Sequence, residues 1–421
     1  MRVTSHPSRI FVRELKYFRD RAEGLVAVVA DGLPNAIQQV RRWHPSYPDA
    51  SDDAIQRAPF AITDAQLVYA RQHGFESWTA LAKYLLALPA HAETEPFLTF
   101  FEAARRGDWS RAAAVLLAQP DVAQAFGTNG NTLVNLAASL LPCPTNAELE
   151  AGRSRVDRLD AMRLLLDAGG SAEAANDRGW TPLHQAAYRN DPEMAALLLE
   201  RGASPHAIAH GSGGTPLAVG LFWGHRHVTS TLVASAIVPG NLRIAAGIGR
   251  ADLVHTCFAA NGSLTESALA DRGFYRPHSG FPSWRPSSDR QEVINEALVW
   301  AAKSDRVEVM GALLTHGADV DGEPYRGTAL SWAAANDRIN ALTWLLDHGA
   351  DINNRTTFGG LTHGNGLTAL HLAAQANKVA AVHFLLARGA DPTITDGIYH
   401  STARGWAEHE GSRDVLALLP A

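Results

Sequence analysis

The feature that most constrains this chain is a small residue that returns at the same point of one pattern. Ala103, Ala137, Ala186, Gly220, Ala245, Ala301, Ala333, Ala373 and Ala407 mark it, and four of their spacings fall within one residue of a ~33-residue period. After most of these markers comes a second amphipathic run and a glycine turn, as in "MAALLLERGAS" and "AAVHFLLARGAD". A segment of this length cannot bury its apolar face alone, so copies must stack on one another. The local chemistry predicts a helix pair in each copy. Thr181 suits a helix N-cap and Pro182 the first turn, where its missing N–H costs nothing. Ala186 and Ala187 let two helices approach closely. Gly202, Gly317, Gly349 and Gly389 stand where a helix must end in a left-handed conformation. The irregular spacings have visible causes: an insertion at 142–155, a longer finger at 353–366, and a degenerate copy at 241–263 followed by "RGFYRPHSGFPSWRP".

The copies "GWTPLHQAAYRND" (179–191) and "GLTALHLAAQANK" (366–378), with the turns "LLTHGADVD" and "LLDHGADIN", resemble the ankyrin repeat. That resemblance covers roughly residues 96–420 and is weakest around Gly220 and Ala245. It implies an all-α ankyrin-repeat solenoid of about nine units, some degenerate, and binding through fingertips and the concave face. Ahead of it, residues 1–92 read as a small helical leader. Thr63 and Gln66 there have capping-box spacing, and Trp78, Leu81 and Leu85 share one helix side. The leader, with "GFPSWRP" and "GWAEHEG", also resembles a group of bacterial ankyrin-repeat proteins that brings no common biochemistry with it. The expected organisation is therefore a leader (1–92), a first repeat block (96–263), an aromatic and arginine-rich insertion (264–290) and a second block (291–421).

Composition limits the function classes. A net charge of −6 over 421 residues gives no basic face for nucleic acid. No run approaches the roughly twenty apolar residues of a membrane span. Two cysteines, Cys143 and Cys257, without metal-ligand spacing fit a reducing compartment. These features predict a soluble cytoplasmic monomer with neither cofactor nor metal. His184 and His371 occupy the position whose imidazole bonds loop backbone, and His316 and His348 precede helix-ending glycines. His225 and His227 point apart on a helix, and "AEHEG" lacks the second histidine of a metalloprotease helix. "GIGRAD" (247–252) superficially resembles a dinucleotide loop, but the register places it on an interhelical turn. No nucleophile elbow or phosphate loop appears, so no catalytic residue is assigned.

The register instead points to a contact surface. Positions after the alanine pair, expected on the concave side, are Arg105, Arg106, Tyr188, Arg189, Phe222, Trp223, Lys303, Ser304, Asn336, Gln375 and His409. Expected fingertips are Trp180, Tyr325, Arg326, Phe358, His363 and Tyr399. Their aromatic and arginine content matches protein-binding hot spots. Trp300, Trp332 and Trp406, just before the alanines, read as packing between copies. The principal expectation is thus a non-enzymatic scaffold for a protein or peptide partner. Its contacts are Trp180, Tyr188, Arg189, Phe222, Trp223, Tyr325, Arg326, Phe358 and Tyr399. The alternative is a small-molecule-binding protein or enzyme whose pocket forms where the insertion meets the repeats, with Arg272, Arg276, His278 and Trp284 engaging an anionic group. In either case the insertion is expected to dock on the repeats, and the copies between 215 and 263 to be the least stable.

Overall fold

Each repeat helix begins where a side chain or a proline resolves the free N–H groups of its first turn. Thr181, Thr215, Asn241, Thr328 and Thr402 each accept from the N–H three residues on, starting the inner helices of five repeats. The computed structural model describes residues 15–73, 75–91, 96–125, 130–140, 156–176, 178–209, 212–235, 238, 240–273, 286–357 and 365–420. Among them, structure is helical apart from two isolated bridges, Phe258 with Leu264 and Thr356 with Leu367. The chain divides into two compact units, Met1–Ala207 and Ile208–Ala421.

The first unit opens with helices Leu15–Ala30, Pro34–Trp43, Asp52–Arg57, Ile62–Gln72 and Trp78–His91. Phe18, Ala22, Leu25 and Val29 recur at helical spacing; the last three pack with Ile37, Val40, Ile55, Val68 and Tyr69, and Phe18 packs with Ala70, Leu81 and Leu85 in a second cluster. The expected cap at Thr63 is displaced by two residues, to Ala61. The helix starts at Ile62, and the Asp64 carboxylate accepts from the Ala61 N–H at 2.8 Å. His73 ends this helix fully buried, its ring edge-on to Phe18. Its Nδ1 lies 2.8 Å from the Tyr69 carbonyl, while Nε2 has no hydrogen-bond partner among the described residues. Three repeat pairs follow: Pro96–Arg105 with Trp109–Ala118, Leu133–Leu140 with Val156–Asp167, and Pro182–Tyr188 with Pro192–Glu200. The buried Arg158 joins the last two pairs, donating to Asp191 at 2.7 Å and to Glu193 at 2.6 Å.

The second unit holds six pairs, with inner helices Pro216–Phe222, Leu242–Ile248, Arg290–Lys303, Ala329–Ala335, Ala369–Gln375 and Ala403–Glu410. The turn after each inner helix carries one left-handed residue. It is glycine at Gly224, Gly249 and Gly411 but Asp305, Asp337 and Asn377 elsewhere, residues whose short polar side chains tolerate positive φ. The two aspartates use that geometry. Asp305 Oδ1 accepts from the Ala341 N–H at 2.9 Å, and Asp337 Oδ1 from the Ala381 N–H at 2.8 Å. Both N–H groups lie in the first turn of the next outer helix, Ile339–Asp347 or Val379–Ala387, which has no side-chain cap of its own. Each aspartate therefore caps its neighbour's helix. The outer helices themselves end on Gly317, Gly349 and Gly389, all at φ near +90° as the sequence pattern predicts.

The copy at 215–235 is better formed than its sequence suggests, because Thr215 and Pro216 restore the start that a missing alanine pair obscures. The copy at 241–263 is the irregular one. Its outer helix, Ala251–Thr256, is six residues long and runs into the Phe258–Leu264 bridge without a glycine stop. Gly249 also leaves the following outer helix, Val307–Thr315, without a carboxylate from its neighbour, and Arg306 supplies no side-chain cap.

Three measurements check this reading. Burial lowers the His73 pKa from 6.5 to about 4. The native state therefore binds fewer protons than the unfolded chain between those values, and stability falls as pH drops through that window. Each tenfold loss of proton affinity on folding is worth about 1.4 kcal/mol, so the total loss reaches about 3 kcal/mol. Denaturation of His73→Gln should lack it, and parallel pH curves for the two proteins would contradict the assignment. Asp337→Gly keeps the left-handed backbone but removes the cap, so it should cost about 1 kcal/mol in chemical denaturation. Hydrogen exchange should be fastest, among the repeats of the second unit, in 241–263 rather than in 215–235.

Candidate binding face and fingertips

The residues after each inner helix divide into those spent on packing and those left at the surface. Phe222 is 1% exposed, its ring 6.4 Å from Trp300 and 6.2 Å from Trp332. Lys303, expected on the concave side, is 2% exposed. Its Nζ sits 3.4 Å from the Trp332 ring centre and 4.4 Å from that of Phe222, and donates to the Phe222 carbonyl at 3.0 Å. Burial holds this amine well below the usual lysine range, with Arg326 and Arg243 acting in the same direction. The cause of both burials is the turn after helix Pro216–Phe222, which lies across the ends of two later inner helices. Arg338 donates to the Gly224 carbonyl at 2.6 Å and to the Lys303 carbonyl at 2.9 Å, and Arg226 pairs with Asp305 at 3.8 Å. Gly224 is at φ +71°, and a Cβ there would meet Asn336 Oδ1 at 2.6 Å. Ser304 is buried by the same closure.

The remaining sequence-identified residues separate in the same way. Trp180 is 4% exposed, its ring 5.8 Å from both His184 and Tyr188, so it belongs to the base of its finger. Arg326 is buried at φ +56°, its guanidinium 5.5 Å from the Tyr325 ring centre. Tyr188, Arg189, Trp223 and Tyr325 are half-buried. Tyr399 stands out at 61% exposure. Its finger is organised by the buried Asp396, whose carboxylate accepts from the N–H groups of Ile398 and Tyr399 at 2.7 Å and of Ser401 at 2.9 Å. The Trp406 indole donates to it at 3.0 Å. Burial raises the Asp396 pKa, but these donors outweigh it and hold the carboxyl below its usual range. Phe358 and His363 lie outside the described residues. His184 and His371 act structurally: His184 Nδ1 accepts from the Thr181 N–H at 3.2 Å, and His371 Nε2 lies 3.2 Å from the Ser401 carbonyl.

In the insertion, Arg276, His278 and Trp284 lie outside the described residues. The described ends, 264–273 and 286–290, are packed on the repeats, with a one-turn helix at Glu266–Leu269 and Ala268 fully buried. Arg272 is the centre of that anchorage. It donates to Glu296 at 2.7 Å, to Glu292 at 3.1 Å and to the Ser287 carbonyl. Arg243 donates to the same Glu296 at 2.9 Å and to the Asp271 carbonyl at 2.9 Å, and lies over the Trp300 ring at 4.7 Å. A hollow of about 250 Å³ adjoins these ends, lined by Ser212, Leu269, Asp271, Arg272, Gly273, Pro286, Ser287 and Ser288. Two carboxylates already neutralise Arg272, so little of its charge is left for a ligand. The residues missed from sequence are Asp396, Glu292 and Glu296. Asp396 precedes a glycine in "TDGIYHST", a local turn signal that could have found it; the glutamates carry no comparable signal.

Comparison with known proteins agrees with this architecture. A family model described as ankyrin repeats (3 copies) matches residues 151–240 and 285–356, and one described as ankyrin repeat matches 365–397. Mouse ankyrin repeat and SOCS box protein 16 is 36% identical over 119 residues, 28% of this chain and 24% of that protein. Human ankyrin repeat and SOCS box protein 3 is 36% identical over 55 residues, 13% of this chain and 11% of that protein. Human NAD-capped RNA hydrolase NUDT12 is 35% identical over 60 residues, 14% of this chain and 13% of that protein. The matches thus span a quarter or less of each of these relatives. Among the described residues, no helix is long and apolar enough to cross a membrane. The chain carries ankyrin repeats, and among the described residues it has the helical architecture of an ankyrin solenoid.

Proposed function

We propose that this chain is a non-enzymatic binding scaffold that engages a protein or peptide through the fingers and concave side of its repeats. The observation that carries this reading is Tyr399, a large aromatic side chain 61% exposed on a finger whose backbone is fixed by Asp396, its ring also meeting Trp406 at 5.8 Å. Exposed aromatic rings on pre-organised backbone make strong contacts because little conformational entropy is lost when they dock. Within the second unit, the half-buried Trp223 and Tyr325 are further candidates, with Phe222 and Arg326 buried beneath; in the first unit the candidates are the half-buried Tyr188 and Arg189, with Trp180 buried beneath. Ankyrin repeats generally serve protein–protein interaction, which agrees with this assignment. A cytoplasmic, monomeric protein without cofactor belongs to the same reading.

Affinity capture from a native lysate, with wild type and Tyr399→Ala as parallel baits, tests it. Tyr399→Ala should lose the captured partner or bind it at least tenfold more weakly, with an unchanged melting temperature, as expected for a hot-spot truncation of about 2 kcal/mol. The same partner held with the same affinity by both baits would remove Tyr399 from the contact surface. Tyr188→Ala combined with Arg189→Ala tests the first compact unit in the same way.

A further inference from the structure

We propose that Arg226 and Arg306 form a binding site on the second unit for one small oxyanion, a phosphate or a carboxylate. Arg306 precedes the outer helix Val307–Thr315, and Arg226 opens the outer helix Arg226–Ser235. Arg306 is half-buried, yet its one hydrogen bond among the described residues runs from Nε to the Gly247 carbonyl at 3.5 Å. Arg338, at the same position of the next repeat, makes two such bonds, at 2.6 and 2.9 Å. The Arg226 guanidinium has no hydrogen bond among the described residues and approaches Asp305 Oδ2 only to 3.8 Å. That carboxylate is already spent. Its Oδ1 accepts from the Ala341 N–H at 2.9 Å, and its Oδ2 accepts from Asn340 Nδ2 at 3.0 Å.

The local sequence accounts for this surplus of positive charge. Where later repeats carry Asp305 and Asp337, this junction has Gly249. A Cβ at 249 would lie 2.8 Å from Arg306 Cδ and 3.1 Å from its Nε, so an aspartate there would stand against the guanidinium. The glycine thus removes one negative charge beside Arg306 and leaves two cations in each other's field. Burial and then Arg226 push the Arg306 pKa down, and Asp305 offsets them only in part. A half-buried cation short of acceptors is costly, and an anion that accepts from both arginines relieves that cost. Guanidinium groups match the paired oxygens of phosphate and carboxylate, so the ligand is an oxyanion rather than a halide. Neighbouring cations do not compete for it. Arg250 is paired with Asp252 at 2.7 Å, and Arg338 is bound to carbonyls. The anion would supply from outside the carboxylate that the regular repeats carry within the chain.

Titration of the full chain with inorganic phosphate, and separately with acetate, tests the site, with chloride at equal ionic strength as the control for screening. Wild type should bind one equivalent of at least one oxyanion, the tighter naming its class, and its melting temperature should rise saturably with that ion but not with chloride. Arg226→Gln and Arg306→Gln should each weaken binding at least tenfold. Arg250→Gln, which removes a cation already paired with Asp252, should bind as wild type does. Gly249→Asp is the sharper variant. Aspartate adopts the left-handed backbone, as Asp305 and Asp337 do at φ near +60°, and the Arg306 stem must move aside for its Cβ. This variant should melt above wild type in chloride and lose the response to the oxyanion, because the chain then carries its own carboxylate. Absence of saturable binding of either oxyanion by wild type would overturn the proposal. So would wild-type affinity retained in Arg226→Gln, Arg306→Gln or Gly249→Asp, the mark of an adventitious ion only.

Discussion

The second compact unit depends on one exchange of hydrogen bonds between neighbouring repeats. A left-handed aspartate after one inner helix caps the first turn of the next repeat's outer helix, as Asp305 does for Ala341 and Asp337 for Ala381. In return, the basic residue at that helix's N-cap position reaches back to the carbonyls closing the earlier inner helix, as Arg338 does to Lys303. Both contacts complement a helix terminus, the carboxylate meeting free N–H groups and the cation meeting free carbonyls. A repeat stabilised in this way cannot be complete alone, which is why stability propagates along the stack. Where Gly249 replaces the aspartate, only the return contact survives, with Arg306 at 3.5 Å from the Gly247 carbonyl.

The same region shows how an array accommodates a buried amine. Lys303 would lose several kcal/mol of hydration on burial without compensation. It keeps a carbonyl acceptor and two aromatic faces, and it joins Phe222 to Trp332 across two intervening inner helices. Arg243, Arg272, Glu292 and Glu296 make the corresponding arrangement at the ends of the insertion. These groups hold the irregular part of the chain together, and they are unavailable for recognition because their partners are internal.

Much of the fold is legible in the sequence because ankyrin stacking is written in local chemistry. Thr181 with Pro182, the alanine pairs, and Gly202, Gly317, Gly349 and Gly389 each act within a turn of their own position, and each appears as expected. The copy at 215–235 reads as weaker than it is, because the missing alanine pair hides an intact Thr-Pro start. The candidate site is less legible. Phe222 and Lys303 are separated by 81 residues, and no local rule says that one will cover the other. Arg272 reads as a ligand-binding arginine until Glu292 and Glu296 are seen beside it. A register predicts which way a residue faces in a regular stack, and it fails where one repeat is short and the turn of the preceding repeat reaches past it.

That failure also bears on where recognition belongs. In a regular ankyrin array the surface beyond the alanine pair is open, but around Lys303 the turn at 222–226 occupies it, with Gly224 admitting no side chain. Trp180 and Arg326 share this fate, but the Tyr399 finger keeps its tip largely exposed even though the ring meets Trp406 of the inner helix Ala403–Glu410. Asp396 spends its carboxylate on three backbone N–H groups and one indole, so the finger's shape is established before any partner arrives. A side chain presented on such a backbone needs little further ordering to dock. On the proposed reading, selectivity at Tyr399 therefore rests on the shape of a partner pocket that accepts a phenol ring, more than on attraction between opposite charges.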